Sequence, residues 1–111
     1  MKATINYDDF AKLDIRAGKV LSASWPEWSN KLLRMEVDLG EEIGKRILFS
    51  GIRNWYAPEM VEGKIMPFIV NMEFKKMGEE ESQGMLVMVD TPEKPILIFL
   101  DELVPVGSVV R

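Results

Sequence analysis

The chain has 111 residues, with no cysteine, no histidine, and a net charge of −4 from 14 Lys/Arg against 18 Asp/Glu. That length holds one domain with a single core. The composition excludes a disulfide scaffold, a Cys/His zinc site and Ser/His or Cys/His triads, and the acidic total argues against nucleic-acid binding through overall charge alone.

In chain order, Asn6–Lys12 reads as a helical turn capped by Asn6 or Asp8. Leu13–Trp25 reads as a long strand with a bulge or bend at Gly18, and Pro26–Asn30 breaks it. Leu32–Leu39 alternates cleanly, with Leu33, Met35, Val37 and Leu39 inward. A turn at Gly40–Gly44 leads to a third strand, Lys45–Ser50, paired with the second as a hairpin. A loop then reaches Pro58–Glu62, a one-turn helix with proline at its start and Gly63 at its end. Lys64–Met72 is the fourth strand, where Pro67 asks for an edge position or a bulge. Gln83–Val89 is the fifth. Ile96–Leu100 reads as a run buried on both sides, and Val104–Val110 closes the chain in extended form.

Five regularly spaced strands with Gly and Pro corners predict an all-β fold: a five-stranded OB-fold Greek-key barrel with short helical turns and a C-terminal extension. The whole of residues 1–111 is expected to form this single domain. No apolar run approaches the roughly 18 residues of a membrane span, and residues 1–9 lack a signal peptide's apolar core, so the expected location is cytoplasmic with no membrane partner.

Asp8-Asp9-Phe10, Lys12-Leu13-Asp14-Ile15-Arg16 and Gly18 resemble the opening of the EMAP-II-like tRNA-binding domains. Ser50-Gly51-Ile52-Arg53, Tyr56, Pro58-Glu59 and Glu81-Ser82-Gln83-Gly84-Met85-Leu86 are similar to that family's middle and last motifs. Three motifs in the right order cover the chain from about Asp8 to Val110. The resemblance implies an OB-fold, usually a symmetric homodimer, that grips tRNA by shape and has no catalytic residues or cofactor of its own. The form of the last motif is nearer the branch associated with methionyl-tRNA synthetase than the branch of CsaA-like export chaperones. The expected role is therefore an accessory (beta) subunit of that synthetase or a free-standing homologue of its C-terminal domain. The alternative is a chaperone for unfolded polypeptides.

Carried over by position, the tRNA-contacting set falls on Asn71, Lys75, Lys76, Ser82 and Met85. An amide can donate and accept at a base edge or ribose, lysines neutralise phosphates, a hydroxyl bonds phosphate or sugar, and a thioether packs on an unstacked base. Supporting candidates are Arg53, Asn54, Tyr56, Phe74, Trp28, Lys31 and Arg34. Taken without the resemblance, Asn71 reads as a strand end bonding its own turn, Lys75-Lys76 as a solvated turn, and Met85 as core. Trp25 and Trp28 read equally well as a surface patch or as a cover over the open end of the barrel. The chain departs from the family pattern at Glu73, which puts an acid where phosphate is expected, and at the acidic run Glu79–Glu81. Ser82 and Met85 have opposite parity in a regular strand, so both face one ligand only if the chain bulges near Gly84.

Overall fold

The computed structural model describes all residues, Met1–Arg111. After a one-turn helix α1 (Tyr7–Phe10), three strands run as an antiparallel meander: β1 (Ile15–Ser24), β2 (Leu33–Asp38) and β3 (Lys45–Ser50). Asn6 caps α1 by accepting the Asp9 N–H at 2.9 Å. The β2–β3 register runs from Leu33 opposite Ser50 to Asp38 opposite Lys45, as the alternation predicts, and the connecting turn holds one helical turn, α2 (Gly40–Ile43). Leu33, Met35, Val37 and Leu39 are fully buried. This hairpin was legible because one face alone carries all the large apolar groups.

A 3-10 turn (Pro58–Met60) leads to β4 (Ile65–Ile69), which returns to pair antiparallel with the other edge of β1. All five β4 residues are buried. Pro67 therefore lies inside the sheet, not at an edge. It faces Ala17, whose N–H and C=O bond Ser108 and Gly107 instead of β4, so no ladder bond is lost there. The order of the strands, β3-β2-β1-β4 and then a fifth segment beside β4, gives an OB-like barrel.

That fifth segment departs from a single strand over 83–89. It is divided into β6 (Glu80–Ser82), β7 (Met85–Leu86) and β8 (Met88–Asp90). β7 pairs with β4, β6 pairs back with β5 (Lys75–Met77), and β8 pairs with β9 (Pro95–Leu97). Gly84 causes the break: its φ is +153°, and a Cβ there would sit 2.8 Å from the Ile69 carbonyl oxygen. Residues 75–82, between the fourth and fifth expected strands, thus form a small hairpin raised from the barrel wall.

Two further expectations are corrected. The bulge of β1 falls between Val20 and Ser22, so Leu21 is the extra residue, while Gly18 pairs regularly with Met66. Gly18 is required for space: a Cβ would lie 2.6 Å from Val37 Cγ1 and 2.8 Å from both Leu39 Cδ2 and Phe68 Cδ2. The run Ile96–Leu100 is not buried on both sides. Only Leu97 is buried, and Ile96 and Phe99 are exposed, because β9 meets only β8 and stands outside the main sheet. β10 (Val109–Val110) ends the chain against Ile15 and Arg16 of β1.

Candidate nucleic-acid interface

The last motif closes the barrel. β3 has no complete strand along its free edge, and the side chains of Ser82 and Gln83 complete it. Ser82 Oγ accepts the buried Phe49 N–H at 3.0 Å and donates to the Gly84 carbonyl at 3.3 Å. Gln83 Oε1 accepts the Ile47 N–H at 2.9 Å, and the Gln83 N–H donates to the Ile47 carbonyl at 2.9 Å. Two side chains thereby replace two backbone carbonyls, which leaves the main chain free to turn at Gly84. The bulge that Ser82 and Met85 require is present, and both line one cleft.

That cleft, about 270 Å³, is lined by Phe49, Met72, Glu73, Lys75, Met77, Ser82, Gly84 and Met85. Cross-strand partners share a face, so the β5–β6 register decides which hairpin residues meet it. Lys75 lies opposite Ser82, Lys76 opposite Glu81, and Met77 opposite Glu80. Lys75, Met77, Glu80 and Ser82 thus belong to the inner face, and Lys76 and Glu81 to the outer one. The two adjacent lysines are separated.

The acidic residues separate in the same way. Glu80 is held by Arg34 through Nε to Oε2 and Nη2 to Oε1, each 2.8 Å. These hydrogen bonds hold the Glu80 carboxyl below its usual range and the Arg34 guanidinium above its own. Arg34 is consequently a strut for the hairpin, with its charge already matched. Glu73 alone shares the cleft with Lys75, and neither makes an ion pair.

Asn71 is placed away from this group. Its Oδ1 accepts the Asp14 N–H at 2.9 Å and its Nδ2 donates to the Lys12 carbonyl at 2.6 Å, tying residues 12–14 to the end of β4. Among the supporting residues, Arg53 donates to the carbonyls of Pro26 and Ser29 and lies 4.9 Å from the Trp25 ring. Tyr56 donates its hydroxyl to the Pro95 carbonyl at 2.8 Å. Both organise loops. Trp28 lies against Gly78 at the tip of the hairpin and meets the Phe49 ring at 5.7 Å, so it props the hairpin and keeps an exposed face. Lys31 and Asn54 are exposed, and neither side chain makes a hydrogen bond or ion pair.

Phe74 stands over Arg46, whose guanidinium carbon is 5.3 Å from the ring centroid. Arg46 Nη1 donates to the carbonyls of Val70, at 2.6 Å, and Gln83, at 3.1 Å, bridging the two ends of the excursion that carries the hairpin. Arg46, Met72, Met77 and Phe49 were not among the sequence candidates. The alternation of Lys75 and Met77 with Ser82 and Glu80 about Gly78-Glu79 was the signal for the hairpin, and with it for Met77.

No helix is long and apolar enough to cross a membrane. The family model described as "Putative tRNA binding domain" matches residues 15–109. The chain is 52% identical over 86 residues to a methionine–tRNA ligase of Stenotrophomonas maltophilia, covering 77% of this chain and 12% of that protein. It is 38% identical over 107 residues to the corresponding ligase of Pyrococcus horikoshii, covering 96% and 14% respectively. The chain therefore spans only about an eighth of those relatives' length. Among solved structures, it is similar to a MetRS-related protein from Pyrococcus horikoshii, with TM-score 0.93, 36% identity, and coverage of 99% and 100% of the two chains. It is also similar to the chaperone CsaA from Bacillus anthracis, with TM-score 0.86, 27% identity, and coverage of 98% and 100%. On the family match over residues 15–109, joined to the OB-like barrel and the side-chain seam at Ser82-Gln83-Gly84, the chain belongs to the tRNA-binding domain family.

Proposed function

We propose that the chain is a non-catalytic, structure-specific tRNA-binding protein that acts as a homodimer in the cytoplasm, as an accessory subunit or free-standing homologue of the methionyl-tRNA synthetase C-terminal domain. The observation that supports it is the cleft beside Gly84, which joins an unpaired cation, Lys75, to the thioethers of Met72, Met77 and Met85. A phosphate and an unstacked base need those two surfaces side by side. In this reading Lys75 and Met85 contact tRNA directly. Ser82 acts by fixing the backbone beside the contact, Asn71 acts from outside it by tying residues 12–14 to the end of β4, and Lys76 is a weaker phosphate partner because Glu81 lies across from it. Exposed apolar groups at the chain ends, Tyr7, Leu13, Val109 and Leu103, favour a second copy as cover.

The second reading, capture of unfolded polypeptide, draws on the same methionines, which make adaptable apolar contacts. A competition experiment separates the two. Bulk tRNA and a permanently unfolded polypeptide are offered together to the purified protein. Retention of tRNA, with loss on Lys75→Ala, is the expected result. Retention of polypeptide and release of tRNA favours the chaperone.

A further inference from the structure

Glu73 is the residue least suited to a polyanion, and it lines the same cleft as Lys75. Neither side chain has an ion-pair partner within 4 Å, so each is free to meet a ligand. A cleft of about 270 Å³ is small, just below the roughly 300–1,000 Å³ typical of ligand sites, and takes one ring system at a time. Its apolar walls are Phe49 and the three methionines, which grip a planar ring without hydrogen-bond demands. Lys75 supplies the charge for the adjoining phosphate.

We infer that Glu73 makes the cleft selective for an unpaired guanine nucleotide. This rests on the tRNA-binding reading and names the base the cleft takes. An ionised carboxylate is an acceptor only, with two oxygens in one plane. Guanine is the one standard base whose Watson–Crick edge presents two adjacent donors, N1–H and the N2 amino group, in matching geometry. Cytosine and adenine each present one amino donor beside a ring acceptor. Uracil presents a single N3–H between two carbonyl oxygens, which face a carboxylate unfavourably. The order is therefore guanine first, adenine and cytosine next, and uracil last. The acid that opposes phosphate over the interface as a whole becomes, at this position, a reader of base identity.

The Met methyl groups report on the cleft directly. The protein labelled at its Met methyls is titrated with guanosine, adenosine, cytidine and uridine 5′-monophosphates, and tRNA binding is measured in parallel. Guanosine monophosphate is expected to shift the Met72, Met77 and Met85 resonances at about tenfold lower concentration than uridine monophosphate. Glu73→Gln should bring the two within about twofold, since an amide donates as well as accepts. Lys75→Ala should weaken all four nucleotides alike and keep their order. Absence of any shift, absence of the guanine preference, or a preference unchanged by Glu73→Gln overturns the inference. If tRNA still binds in any of those cases, the base assignment alone fails; if tRNA does not bind, the underlying reading fails with it. Glu73 is exposed, so the substitution leaves the core packing untouched.

Discussion

Arg34 of β2 and Glu80 of β6 meet side-on through two hydrogen bonds of 2.8 Å, and this pair fastens the raised hairpin to the barrel wall. Both side chains are about a third exposed, so the pair is screened and contributes less than about 1 kcal/mol. Because the folded Glu80 carboxyl titrates below its unfolded counterpart, its stabilisation is complete above the ordinary carboxylate range and is lost as pH falls through the lowered value. Arg34→Gln should therefore lower the melting temperature at neutral pH and cost less as the solution is acidified below the carboxylate range. Thermal melts of both proteins across pH test this; a difference independent of pH would contradict it.

Ser82→Ala should cost about 1–3 kcal/mol, because the buried Phe49 N–H loses its acceptor. Denaturant unfolding measures the loss. A neutral substitution would mean that the hydroxyl does not seal the barrel.

Gly18→Ala should cost about 1–3 kcal/mol through overpacking, since the new methyl meets Val37, Leu39 and Phe68 at once. Its backbone is otherwise regular, so the effect should appear in stability and leave tRNA affinity unchanged.

Asn71→Ala should release residues 12–14 from the end of β4. Amide exchange at Asp14 is expected to quicken, with affinity for tRNA changed by less than about twofold, as one remote exposed contact is lost. A large loss of affinity with Asp14 still protected would instead place Asn71 at the RNA.

The parts of the fold visible in the sequence are those where one physical rule acts alone. Alternation placed β2 and β3 because Leu33 to Leu39 face the core on one parity, and Asn6 marked its helical turn because its side chain is the cap. Where two rules compete, the reading slipped. Gly18 suggested a bend, but crowding by three core side chains is what requires it, and the bulge itself at Leu21 carries no glycine. Pro67 suggested an edge, whereas the C-terminal residues take the bonds of its partner Ala17 and make an interior proline harmless. Residues 83–89 read as one strand because their apolar content is continuous; the positive φ at Gly84 divides it. At the candidate cleft, the bulge joining Ser82 to Met85 was foreseeable from parity. The partners of Asn71, Arg34 and Arg53 were not, since each bonds groups at least 24 positions away, and such pairings depend on the closed barrel.

The most direct measurement is the salt dependence of tRNA binding for the protein and its single lysine variants. Log affinity is expected to fall linearly with log salt, with Lys75→Ala weakening binding and flattening the slope by about one unit and Lys76→Ala doing less. Binding that ignores salt, or a slope left intact by Lys75→Ala, would contradict the assignment of the cleft to tRNA.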